Sequence, residues 1–190
     1  MATLAPAGAE RNASFPHDCG LVLMMDIDHF KQLRDDHGHV VGDQVLQVTA
    51  ARLSALFRDE DIVARWGGEE FLALLPTSHA SEAAAIAARV LEAVSARPVM
   101  VNGATMTVTI SLGICRLGLG LSDREMSWEE VVHTADQALY LAKQNGRNMA
   151  YGITEAVNAT SADMARGLRI NWNEGRAELF EVFGKRAVSV

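Results

Sequence analysis

Gly20-Leu21-Val22-Leu23-Met24-Met25 is an unbroken apolar run that stops at Asp26. A run of that length with no polar alternation predicts a strand buried on both faces, in the middle of a sheet. An acid at its carboxyl end stands where α/β sheets place ligands, and Asp28 can cap the helix that follows. Gln32 to His39 predicts that short helix, closed by Gly38. A second helix is expected from about Gly42-Asp43, with Leu46, Ala50, Leu53 and Phe57 on its packed face. Next, Gly67-Gly68 lies between Ile62-Val63-Ala64 and Leu72-Ala73-Leu74-Leu75, predicting a β-hairpin whose tip uses the positive φ open to glycine. Strand alternation sends Glu69 and Glu70, directly after that tip, to opposite faces.

The run 80–96 is strongly helical, and Asn102-Gly103 predicts a two-residue hairpin turn between Val99-Met100-Val101 and Thr105 to Ser111. Ser111-Leu112-Gly113-Ile114 reads as a core strand in which Gly113 permits close packing. Trp128 to Asn145 is a helix buried through Val131, Val132, Ala135, Leu139 and Ala142, with Lys143 and Arg147 four apart on one face near its end. Residues 1–18 lack periodicity and read as a loose leader or a boundary where the chain was cut. Ala177 to Phe183 is amphipathic and reads as a helix packing back on the domain or on a partner; residues 153–190 receive no function.

Composition narrows the function classes. In 190 residues, 49% hydrophobic, the chain can bury a substantial core in one domain. The formal charge of -7, from 17 basic and 24 acidic residues, argues against a nucleic-acid-coating surface but not against a nucleotide site. Two isolated cysteines, Cys19 and Cys115, suggest neither a disulfide framework nor a zinc site. No apolar run has membrane-spanning length and no signal peptide is visible, so the expected compartment is the cytoplasm.

Candidate chemistry concentrates in a few stretches. These are Asp26-Ile27-Asp28-His29-Phe30-Lys31, Asp35-Asp36-His37-Gly38-His39 with Gly42-Asp43, Arg65-Trp66-Gly67-Gly68-Glu69-Glu70-Phe71, and Asp136 to Asn148. Taken together they resemble the GGDEF family of diguanylate cyclases, in its Gly-Gly-Glu-Glu-Phe spelling, over roughly residues 20–152. The resemblance implies an α/β (α+β), nucleotidyl-cyclase-like domain over residues 19–152, with a central, mostly antiparallel five-stranded sheet flanked by helices. The family's leading Leu-Thr-Gly-Leu-x-Asn-Arg stretch is absent before the first strand.

The implied reaction condenses two GTP molecules into cyclic di-GMP and pyrophosphate. Asp26, Glu69 and the Ile27 carbonyl would hold Mg²⁺, two ions in the family pattern, with Mn²⁺ as a substitute. Glu69, Glu70 and Lys143 form the implied catalytic set, Glu70 as a further ligand or as base near the attacking 3′-hydroxyl. The amides of Phe30 and Lys31, with Lys143 and Arg147, would hold phosphates. Gly67 and Gly68 would leave room for the substrate, and Asp43 would accept from guanine N1 and N2, with His39 in the same motif. Arg34 stands where the family has Asn; an amide donates and accepts, a guanidinium only donates.

Five residues, Ile62 through Trp66, separate Asp61 from the Gly-Gly pair, the family spacing of an inhibitory site. Arg58, Asp61 and Arg89 would bind the product there. The family further implies a transient two-fold homodimer for catalysis, coupled to a sensor in a longer protein. A second class stays open: a non-catalytic module that binds cyclic di-GMP or GTP to regulate a partner.

Overall fold

The computed structural model describes residues 19–101, 103–118 and 126–156, and strand backbone over 164–171, 176–183 and 186–188. The expected leader, 1–18, lies outside the described residues. β1 (Cys19–Ile27) is the central strand, antiparallel to β3 (Glu70–His79) on one side and to β6 (Ile110–Arg116) on the other. β2 (Ile62–Arg65) pairs antiparallel with β3, and β7 (Met149–Ala156) pairs parallel with β6. These five strands, in the order β7-β6-β1-β3-β2, form the mostly antiparallel sheet expected from the sequence.

The continuous apolar run of β1 follows from burial on both sides. Leu21, Leu23, Met25 and Ile27 enter the larger core with α1 (Phe30–His37), α2 (His39–Ser54) and α3 (Ala83–Ser95). Val22 and Met24 face the opposite layer, against Val131, Ala135 and Leu139 of α4 (Trp128–Gln144). Each such side chain removed from water contributes about 1.5–3 kcal/mol, so no polar residue is tolerated before Asp26. Gly113 on β6 lets α4 approach: a Cβ there would run into the Ala135 carbonyl and the Leu139 amide. The close packing expected of this glycine is present.

Three details differ from the sequence reading. α1 begins at Phe30, and α2 begins at His39 with no loop between them. Gly38 (φ 86°, ψ 165°) is both C-cap of α1 and N-cap of α2, so the expected start at Gly42-Asp43 falls inside the helix. Lys143 is in the last turn of α4, but the helix ends at Gln144 and Arg147 (φ 63°) lies beyond it, so the two do not share a helical face.

The third difference concerns Ala177 to Phe183, which is strand and not helix. β8 (Met164–Asn171), β9 (Arg176–Phe183) and β10 (Arg186–Val188) extend the sheet as an antiparallel meander beyond β7. Seven residues are too few to separate a period of 2 from one of 3.6, and the free backbone edge of β7 decides in favour of pairing. β4 (Val99–Val101) and β5 (Ala104–Met106) make a separate hairpin, with Val101 opposite Ala104 and Gly103 at φ 82°, as Asn-Gly predicted. Among the described residues no helix is long and apolar enough to cross a membrane.

Candidate active site

The carboxyl end of β1 meets the β2–β3 hairpin and the end of α4. Asp26 lies opposite Glu70 on one neighbour and opposite Ser111 on the other. It is 6% exposed, and its Oδ2 forms an ion pair with Lys143 Nζ at 2.8 Å. Burial pushes the Asp26 carboxyl up to about 6; Lys143 opposes that rise, and the charges of Glu69 and Glu70 add to it. Ile27 N–H donates to the Glu69 carbonyl at 3.3 Å, tying the hairpin tip to the strand end.

The tip itself departs from expectation. Neither Gly67 nor Gly68 has positive φ. Their value is space: a Cβ on Gly67 would lie 2.8 Å from Glu70 Oε2, and one on Gly68 would meet nothing within 4 Å. Arg65, a residue that sequence reasoning leaves without a role, holds the tip: its Nη2 donates to the Gly68 carbonyl at 2.7 Å, and its Nε donates to the carbonyls of Gly67 and Gly68 at 3.2 and 2.9 Å. The signal was its position two residues before the glycine pair, within reach of their carbonyls.

Asp28 does not cap α1. The N-cap is His29, in the left-handed region at φ 56°, and no side chain caps the helix. The first-turn amides of Phe30 and Lys31 therefore remain free of a side-chain partner, which suits an anion. Asp28 is buried and accepts from Thr109 Oγ1, Ser111 Oγ and the Asn148 amide at 2.7, 2.7 and 3.0 Å. Nothing local in the sequence connects Thr109, Ser111 or Asn148 to Asp28.

Beside this centre, α2 and the hairpin enclose a cavity of about 360 Å³. Asp43, Gln47, Ser54 and Arg65 line it together with apolar Leu46, Ala50, Val63, Ala64 and Phe71. Arg34 is half-buried on α1 with its aliphatic stem close to Gly42, the neighbour of Asp43, while His39 is exposed. Neither contributes to the lining of the cavity.

Arg58, Asp61 and Arg89 come together in a second, smaller pocket with Ser78, Glu82 and Ile86. Asp61 Oδ2 accepts from the Arg58 amide at 2.9 Å, and Arg89 Nη2 donates to the Leu56 carbonyl at 3.0 Å. Asp61 Oδ1 is buried without a hydrogen-bond partner.

Among the described residues no three His, Cys, Asp or Glu side chains stand in coordinating geometry around a point. Asp26 lies opposite Glu70, next in the chain to Glu69, and the charges of both glutamates raise its carboxyl; these are hard oxygens whose repulsion a divalent cation would relieve. Their chemistry fits Mg²⁺.

The family described as "Diguanylate cyclase, GGDEF domain" matches residues 8–149. The chain belongs to the GGDEF family. It is 42% identical over 127 residues to Diguanylate cyclase A of Treponema denticola, covering 67% of this chain and 33% of that protein. The chain thus spans about a third of that relative's length. Among solved structures, the GGDEF domain of DgcB from Caulobacter crescentus, in complex with c-di-GMP, superposes with a TM-score of 0.62 at 32% identity, covering 69% of this chain and 75% of that one. The active GGEEF domain of a diguanylate cyclase from Vibrio cholerae gives 0.60 at 30% identity, covering 69% and 80%. Both likenesses fall on a GGDEF fold.

Proposed function

We propose that this GGDEF domain is the catalytic unit of a diguanylate cyclase. In this reading two GTP molecules condense to cyclic di-GMP and each releases pyrophosphate. The observation that carries it is the meeting of Asp26, Glu69, Glu70 and Lys143 at the end of β1. Phosphoryl chemistry needs charge neutralisation, a positioned hydroxyl and fixed phosphates. Asp26, Glu69 and the Ile27 carbonyl would hold Mg²⁺, which supplies charge neutralisation at the phosphates when bound.

The remaining work falls to the chain. Lys143 and Arg147 supply positive charge, and the uncapped first turn of α1 offers the Phe30 and Lys31 amides to phosphate oxygens. The cavity beside Asp43 takes guanine, with the carboxylate accepting from its N1 and N2 hydrogens. Glu70 takes the proton of the 3′-hydroxyl as that oxygen bonds to the α-phosphorus of the second GTP and the bond to pyrophosphate breaks. Each domain holds one GTP, so two domains face each other across a two-fold axis, brought together by further parts of a longer protein. The pocket of Arg58, Asp61 and Arg89 takes cyclic di-GMP and restrains that pairing.

The test is incubation with GTP and Mg²⁺ at high protein concentration, followed by nucleotide chromatography, with Glu69→Gln as control. Cyclic di-GMP formed by the parent and lost in the control is the expected result. Without product, binding of cyclic di-GMP by the parent would transfer the assignment to a receptor.

A further inference from the structure

Between α4 and β7 the chain passes through Gly146 (φ 118°), Arg147 (φ 63°) and Asn148 (φ 48°). Asparagine tolerates the left-handed region, but Arg147 does not stay there by its own preference, and the surroundings must hold it. Two hydrogen bonds do so. The Arg147 amide donates to the Ala142 carbonyl at 3.0 Å, and the Asn148 amide donates to Asp28 Oδ2 at 3.0 Å.

Asp28 is itself fixed. It is 7% exposed, Thr109 Oγ1 donates to its Oδ2 and Ser111 Oγ to its Oδ1, each at 2.7 Å. Its own amide donates to the Thr109 carbonyl at 2.9 Å. Next to it, His29 is a further left-handed residue, after which α1 starts with Phe30 and Lys31. One buried carboxylate therefore joins the β1–α1 turn, the entry to β6 and the strained turn that carries Arg147. It makes none of the contacts with α1 that a helix cap would make.

We propose that Asp28 is a positioning residue for triphosphate binding: through the Asn148 amide it holds the Gly146–Asn148 turn in the conformation that presents Arg147 to the phosphates. The proposal rests on the reading of Arg147 as a phosphate ligand. Asp28 acts only through its neighbours, because its carboxylate is engaged inward by groups from β6, the segment before it and the α4–β7 turn.

The test is equilibrium binding of α-thio GTP with Mg²⁺ to the full chain, in parallel with hydrogen exchange at the Asn148 amide. Arg147→Ala is expected to weaken binding about tenfold, the scale of a lost charge-assisted contact. Asp28→Ala should weaken it by about the same factor and unprotect Asn148, and the double variant should be no weaker than either single one, since both remove one interaction. Asp28→Asn should bind within about twofold of the parent, because its oxygen can accept from Asn148 and Thr109 while its NH₂ donates to Ser111. Unchanged binding in Asp28→Ala, or a double variant whose losses multiply to about a hundredfold, would overturn the role of Asp28 alone. An unchanged Arg147→Ala would remove the phosphate role of Arg147, and the proposal with it. Should Asp28→Ala not fold, Thr109→Val combined with Ser111→Ala loosens the same carboxylate: a several-fold loss supports the proposal and unchanged binding overturns it.

Discussion

Lys143 Nζ lies 2.8 Å from Asp26 Oδ2, bringing the last turn of the last long helix onto the end of the first strand. The ion pair only partly offsets the burial of Asp26, whose carboxyl remains raised from 3.8 to about 6. Between those two values the folded chain keeps a proton that the unfolded chain has lost, so this group's contribution to stability falls as pH rises through that window.

Asp26→Asn removes the ionisation. Above about pH 6 the variant is expected to be more stable than the parent, by at most about 3 kcal/mol, with the difference vanishing below about pH 4. Thermal melts from pH 3.5 to 8 check it. A parent more stable than the variant at pH 8 would mean that the Lys143 pair outweighs burial.

Gly113→Ala places a methyl group against the backbone of α4, at the Ala135 carbonyl and the Leu139 amide. Backbone cannot swing aside as a side chain can, so the helix must lift from the sheet, at a cost of about 3 kcal/mol or more. Denaturant unfolding measures it, and a variant within 1 kcal/mol of the parent (on the order of ordinary surface scatter) would contradict the packing described.

The two glycines of the hairpin tip should separate. A Cβ at Gly67 meets only the far end of Glu70, which can move, so Gly67→Ala is expected to fold within about 1 kcal/mol of the parent while displacing that carboxylate. Turnover should then fall well beyond what the melting temperature indicates. Gly68→Ala faces open space and should leave stability unchanged within about 0.5 kcal/mol.

Arg34→Asn tests the base slot. Arg34 stands beside Gly42 and outside the lining of that slot, so the variant is expected to keep kcat/KM for GTP within about twofold of the parent. A fall instead would mean that the guanidinium itself reads an acceptor on guanine.

Asp61→Ala removes both the anchor of the Arg58 amide and the buried, unpartnered Oδ1. The cyclic di-GMP concentration that halves turnover should rise about tenfold, each variant being compared with its own rate without product. An unchanged value would detach this pocket from inhibition.

Much of this molecule was legible in its residue order. The run Leu21 to Met25 specified a strand buried on both faces because no position in it tolerates water, and Gly113 announced a close helix approach. Asn102-Gly103 specified a two-residue turn through local backbone preference alone. Asp26, closing the apolar run of β1, and Glu69-Glu70, between the glycine pair and the run Phe71 to Leu75, stood out as candidate acids. Other features depended on groups far apart in the chain. Asp28 is chemically able to cap a helix, yet Thr109, Ser111 and Asn148, up to 120 residues away, take its oxygens. Arg147 stands four residues after Lys143, but the left-handed turn at Gly146 takes it off the helix. The segment Ala177–Phe183 fitted two periodicities, and the open edge of β7, supplied by the assembled sheet, selected the strand. Local sequence fixes what a segment can become; which of its hydrogen-bonding options is used depends on the partners that folding brings within 3 Å or so.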